Sequence, residues 1–442
     1  MNSKRWLSLI LAVCLAAVLV LSGCAKKEAS NSGTESAANS DKPQQTTIKV
    51  AWFSPSPEVF VDPFLNAFMD KHPHIKIEPV ISPNYQAYTE KMAIAIAGGE
   101  IYDAVFINTE FAQWAGQDYL ADLSSLIQDS GLDMSKTYKD YDQPLKWDDK
   151  QYALPYYVTA YATYYNKEMF DAANLPYPQD NFTWEEYTAL AKQLTKGDGP
   201  DKVYGSLGFD WVMTLLPMVN QQGRDMFTAT EQDIVEALKY KHHLTNELKV
   251  QPTVAENLVT KSNPNALFRQ GKGAMMYSVP ATFNQTTEAI KQGEAQFTLG
   301  MTTMPQLPGT TQPKTIGNIT SWGIPAESKN KEAAWEFIRF MTGPETADLK
   351  LKSGNTPAND LGSADQLYDR FKQFFESDGK VLPEGAKVFF TQEVTLELPF
   401  HPLTAQLRNI YESEAELALT GGKSIEDAAA EIVKQRDELL KK

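Results

Sequence analysis

Few side chains in this sequence are of a type and spacing to do covalent chemistry. The 442 residues include two cysteines, five histidines and 56 carboxylates. No nucleophile elbow, phosphate-cradling loop or zinc-ligand spacing occurs. His72 and His74 flank Pro73 in a turn, while His242 and His243 are adjacent on a helix and point apart; neither pair reads as a metal site, and no cofactor is expected. Hydrolysis of a glycosidic bond needs two carboxylates flanking it. Glu110 and Asp210 are available for that, but among 56 acids their presence carries no signal.

The elements around these residues say more. Lys4 and Arg5 precede an apolar run from Leu7 to Leu21. It falls short of the ~20 residues that span a bilayer and fits a secretory signal peptide over residues 1–23. Leu21-Ser22-Gly23-Cys24 is similar to the lipobox of bacterial lipoproteins, whose cleavage leaves Cys24 as a lipid-modified first residue. An uncleaved signal anchor, or a chance cysteine after an ordinary signal, is the alternative; the small residues before Cys24 favour lipidation. With Cys14 removed, no disulfide within the chain is possible. Residues 24–45 have the composition of a segment that cannot bury enough surface to fold, a tether of roughly 25 Å r.m.s. span.

From about Thr46 the chain is long enough for two lobes. A net charge of −15 argues against a nucleic-acid partner and against adsorption to an anionic membrane surface. No repeat at a fixed period suggests a solenoid or propeller. Ile48–Phe53, Ile75–Ile81 and Asp103–Asn108 read as strands, with helices expected over 58–72 and from Tyr85 to a Gly98-Gly99 cap. Strand, helix, strand, helix, strand is an α/β signature. Two extended segments follow over 151–170, then a helix over 181–196 opened by the capping box Thr183-Trp184-Glu185-Glu186. Strands are expected at 205–211, 274–279 and 297–305, and helices over 215–222, 231–246 and 264–270. From Lys331 onward the chain reads as largely helical, ending in a helix over 424–440.

Several motifs in this order resemble one family. They are Gln117–Leu123, Tyr152-Ala153-Leu154-Pro155 with Tyr165–Phe170, the Thr183 capping box, Phe268–Met275, and Gly317–Ile324 with Glu332–Ile338. Together they resemble the extracellular solute-binding proteins of ABC importers, in the sugar-binding branch that includes maltose-binding protein. The resemblance implies a two-lobe, periplasmic-binding-protein-like α/β fold with a hinge of crossing strands and a central ligand cleft. The expected lobes are 46–158 with 308–345, and 159–307 with 346–442. It further implies a monomer that closes on a sugar and delivers it to the transmembrane subunits of a permease, the lipid anchor keeping it on the outer face of the cell membrane.

The same resemblance locates the ligand groups, since a sugar needs aromatic plates for its C–H faces and polar groups for its hydroxyls. Phe53 and Ser54 end the first strand, Asn108 and Glu110 follow the third, and Tyr157 and Thr159 stand on the first crossing. Thr159 occupies a place that is Glu in maltose-binding protein, which disfavours malto-oligosaccharides. Asp210 and Trp211 lie where an acid and a ring together grip a sugar. After the strand at 274–279 the family's Gly and stacking Trp are missing, leaving Phe283, and Asn318, Ser321 and Trp322 close the site from the other side. Trp147, Trp184 and Trp335 are expected to be packing residues. Two alternatives stand: the same fold holding a cationic or other small solute, with Glu110, Asp210 and aromatics as a cage, and an exported glycosidase.

Overall fold

The structure, a computed structural model, describes residues 45–441 except 55, 139 and 140. The signal peptide, Cys24 and nearly all of the tether lie outside the described residues.

Alternating burial of Ile48, Val50 and Trp52 makes β1 (Thr46–Phe53) one side of a core. It runs parallel to β2 (Ile75–Ser82), in register from Thr46↔Ile75 to Phe53↔Ser82, and to the fully buried β3 (Ala104–Ile107). The helix expected over 58–72 is two helices, Pro57–Phe60 and Asp62–Lys71, divided at Val61. Pro63 has no N–H to carry one helix through that turn. The helix Tyr85–Gly98 starts on the Asn84 side chain, which accepts from the Ala87 N–H, and stops at Gly99 with φ 71°. A left-handed residue costs glycine nothing.

After a short hairpin, β4 (Lys146–Trp147) and β5 (Lys150–Gln151), the chain makes its first crossing. β6 (Ala153–Ala160) belongs to the large sheet and β7 (Ala162–Asn166) to a second one, so Tyr161 is the residue that passes between them. The second sheet is completed by β8 (Tyr204–Leu207), β9 (Gly273–Ser278) and β10 (Leu299–Thr302), in the order β10-β7-β9-β8. β11 (Lys314–Gly323) returns to the large sheet, whose order is β12-β6-β11-β3-β1-β2, with β12 at Thr356–Pro357 and β13 (Glu393–Leu396) paired to β11. Segment 346–442, expected wholly with the second lobe, thus sends two strands back to the first. The helix expected over 181–196 forms as Trp184–Leu194 with its capping box complete, as Thr183 accepts from the Glu186 N–H and Glu186 from the Thr183 N–H.

The two sheets have separate cores, one centred on Trp52, Phe106 and Trp322, the other around Phe268, Met276 and Phe283. Where β11 crosses β6 the backbones are nearly in contact. A Cβ on Gly317 would lie 1.9 Å from the Thr159 carbonyl oxygen and 2.8 Å from Val394 Cγ1. Gly317→Ala is therefore expected to cost about 1–3 kcal/mol of stability, as overpacking does elsewhere; chemical denaturation checks it, and an unchanged midpoint would show that the crossing has slack.

Candidate ligand cleft

β1, β3 and β6 all run the same way across the large sheet, so their C-terminal ends share one edge. β11 runs antiparallel between β6 and β3 and brings Asn318 to that edge, paired with Thr159. A cavity of about 630 Å³ opens here. Phe53, Ser54, Asn108, Tyr157, Thr159 and Asn318 line one wall, and Arg269, Val279, Ala281 and Gln285 from the second lobe line another.

Three polar side chains on neighbouring strands form the cavity's central row. The Asn318 amide donates to Asn108 Oδ1, and the Thr159 hydroxyl accepts from the Asn318 N–H at 2.9 Å. The Phe53 ring packs at 5.4 Å from both Tyr85 and Phe106, and the Tyr157 ring lies 4.8 Å from Tyr156. Burial pushes the Tyr157 hydroxyl up to about 12, so it stays a neutral donor. Ser54 is more constrained: its N–H donates to the Ser82 carbonyl and its hydroxyl accepts from the Ser56 N–H.

One acid in this cavity escaped the sequence reading. Glu397 follows β13, its N–H donating to the Gly317 carbonyl at 2.7 Å, and its side chain lines the cavity. Its Oε2 is closed to solvent and has no hydrogen-bond partner among the described residues. Burial raises the carboxyl to about 7, and the Tyr161 hydroxyl beside it offsets this only in part. An acid inside the otherwise apolar Leu396-Glu397-Leu398-Pro399-Phe400, directly after a strand, was the available signal.

The remaining expected residues separate. Glu110 does not line the cavity: it accepts from the Tyr85 hydroxyl and from the Asn108 N–H, so it braces the loop that carries Asn108. Burial is the main cause holding its carboxyl above the usual range. Asp210 and Trp211 line a second cavity of about 310 Å³. Both Asp210 oxygens already have partners, Lys241 Nζ at 3.0 Å and the Asn257 amide at 2.8 Å. Trp211 is 40 % exposed and stacks on Phe209 with ring centroids 3.9 Å apart. Since β8 and β9 are parallel neighbours, the Phe209–Trp211 loop and the Val279–Ala281 loop leave the second sheet at the same edge.

The expectations for Trp322, Ser321 and Phe283 need correction. Trp322 is wholly buried among Trp52, Phe106, Tyr156 and Phe337 and offers no face to a ligand. Residues 314–323 form an interior strand of the large sheet, β11, which is buried along nearly its whole length, and Ser321 is likewise fully buried. Phe283 lies inside the second lobe's core, against Phe371, Phe375 and Phe389, because helices from the C-terminal third cover that side. The fold also brings Glu336 to the rings of His72 and His74.

Residues 54–348 match the family model of bacterial extracellular solute-binding proteins, and the chain belongs to that family. Two relatives give the range within it. The mannitol-binding protein of Pseudomonas aeruginosa is 25 % identical over 408 residues, covering 87 % of this chain and 91 % of its own. The arabinooligosaccharide-binding protein of Bacillus subtilis is 23 % identical over 391 residues, 84 % of each. Among solved structures, an ABC substrate-binding protein of Listeria monocytogenes in complex with cycloalternan superposes with a TM-score of 0.78 at 25 % identity, over 90 % of this chain and 99 % of that one. A maltose-bound protein of T. maritima shares the fold at 19 % identity, TM-score 0.71, over 89 % and 100 % of the two chains. The protein is thus a two-lobe extracellular solute-binding protein, and its named relatives are binding proteins.

Proposed function

We propose that this protein captures a carbohydrate, of oligosaccharide size, and delivers it to the permease of an ABC importer, held at the outer face of the cell membrane through a lipidated Cys24. The observation that carries this reading is the wall made by Asn108, Asn318, Thr159 and Glu397. It sets amide and hydroxyl groups beside the Glu397 carboxyl, flanked by the Phe53 and Tyr157 rings. Hydroxyls that both donate and accept suit that row, while the aromatic rings suit C–H faces. The names of the mannitol and arabinooligosaccharide relatives support the cargo class. Trp211, at the edge shared with Val279–Ala281, serves a more distant sugar unit.

One observation favours a second reading, a cationic solute: the Glu397 carboxyl lies in an aromatic-lined cavity and in ionised form would hold a cation. Thermal melting of Ser30–Lys442 against sugars, polyols, polyamines, betaines and glycerol phosphates separates the two. Cargo at about 100 times its Kd adds roughly 2.7 kcal/mol; stabilisation by amines alone, or by nothing in the panel, overturns the carbohydrate reading. Trp211→Ala is expected to weaken an oligosaccharide about tenfold, ~1.4 kcal/mol, and a monosaccharide hardly at all. Calorimetry with both ligand lengths checks this. Equal affinity for the oligosaccharide in variant and wild type would remove the second cavity from the site.

A further inference from the structure

His72 and His74 converge on one carboxylate that comes from 262 residues or more further along the chain. Glu336 Oε2 lies 2.8 Å from His72 Nδ1 and 3.2 Å from His74 Nε2. All three candidate ligand atoms lie within 4.8 Å of one another. We propose that His72, His74 and Glu336 form a binding site for a divalent transition metal such as zinc.

The donor set and its spacing carry this. Two imidazole nitrogens and one carboxylate oxygen are ligands that zinc accepts at about 2.0–2.2 Å, which in a tetrahedron sets the donors roughly 3.4 Å apart. The observed separations need only small side-chain adjustments to reach that geometry, and the fourth position stays open to water, since all three side chains are partly exposed.

The site is also held in place before any ion arrives. The His72 N–H donates to the Phe68 carbonyl, the Ile75 N–H to the His72 carbonyl, and the Thr46 N–H to the His74 carbonyl, which pins the His72-Pro73-His74 turn on both sides. The His72 ring stacks on Phe68, centroids 4.5 Å apart, with Phe340 against its edge. Phe340 and Phe337 pack the helix Lys331–Thr342, which carries Glu336, onto the same Phe68. The nearby cations have other partners: Lys71 Nζ sits over the Phe340 ring and the Arg339 guanidinium over Trp335.

His74 immediately precedes β2, at the N-terminal end of that strand, whereas the ligand cleft lies past the C-terminal ends. Eight strand residues separate them by roughly 25 Å. The ion would therefore clamp the helix to the sheet without touching the cargo, and the site is independent of what the cleft binds.

The test is calorimetric titration of the EDTA-stripped protein with zinc chloride. One equivalent is expected to bind, and His74→Ala and Glu336→Gln are each expected to weaken it about tenfold or more, by the loss of a direct ligand. Cobalt should show tetrahedral visible bands in the wild type and lose them in both variants. His243→Ala, at the other His–Glu cluster with Glu247, serves as the control and should leave binding unchanged. Melting in EDTA establishes that each variant is folded. No zinc binding at about 100 times the protein concentration overturns the site. So does unweakened binding in both folded variants, or loss of binding in His243→Ala.

Discussion

Glu397→Ala should lower affinity for the carbohydrate cargo about ten- to hundredfold, the ~1.5–3 kcal/mol of a hydrogen bond to a charged acceptor. The variant removes the one carboxyl that follows β13 into the cavity wall. Glu397→Gln keeps the shape and one acceptor oxygen, and should retain more of the affinity for a sugar. For a cation, glutamine and alanine should be equally damaging. The pair of variants therefore reports the cargo's charge as well as the residue's role, and unchanged calorimetric affinity in both would place the ligand elsewhere in the cavity.

The same carboxyl predicts a pH dependence. Its folded value is raised from 4.5 to about 7 by burial, so the folded protein holds a proton that the unfolded chain releases. The penalty for ionising it is absent below about pH 4.5, grows as the pH rises, and is complete above about 7, on the order of 3 kcal/mol. Denaturation of wild type and Glu397→Gln at pH 5 and pH 8 should show the glutamine variant gaining relative stability at the higher pH. Cargo that donates a hydroxyl to the ionised carboxylate should bind more tightly at pH 8 than at pH 6, and this slope should vanish in Glu397→Gln. A slope unchanged by the substitution would assign the titration to another group.

The second large effect concerns Trp322. Truncation to alanine should cost about 3–5 kcal/mol of stability, the range for a buried aromatic ring, because it empties the centre of the cluster with Trp52, Phe106, Tyr156 and Phe337. Cargo affinity of the fraction that remains folded should stay within about twofold of wild type, about 0.4 kcal/mol. Denaturation midpoints and calorimetry at low temperature measure the two quantities separately. A variant of near-normal stability that has lost its cargo would return the ring to the cleft.

Local patterns were read correctly where neighbours in sequence decide the outcome. The Thr183 capping box, the Gly99 stop and the alternation of Ile48, Val50 and Trp52 each involve residues within a turn of one another. Phe53, Asn108, Tyr157, Thr159 and Asn318, picked out by their places on or just after strands, all line one cavity. Legibility failed at β11, because its place inside the large sheet, which buries Ser321 and Trp322, is set by pairing with the distant strands β3 and β6. It failed at Phe283 because its neighbours, Phe371 to Phe389, come from elements far along the chain whose docking no local pattern announces.

From its order of motifs alone, then, the chain determines its family, its succession of strands and helices, and the loops that must face a cleft, since all of these follow from short-range periodicity, capping and turn chemistry. Tertiary structure alone decided which side chains are left with something to offer. Glu397 matters because β13 sets it in the cavity wall, Asp210 has its oxygens engaged by Lys241 and Asn257, and Glu336 meets His72 and His74 only when the helix Lys331–Thr342 packs against Phe68. Burial and partnership are properties of contacts between distant segments, and free energies of desolvation are set there.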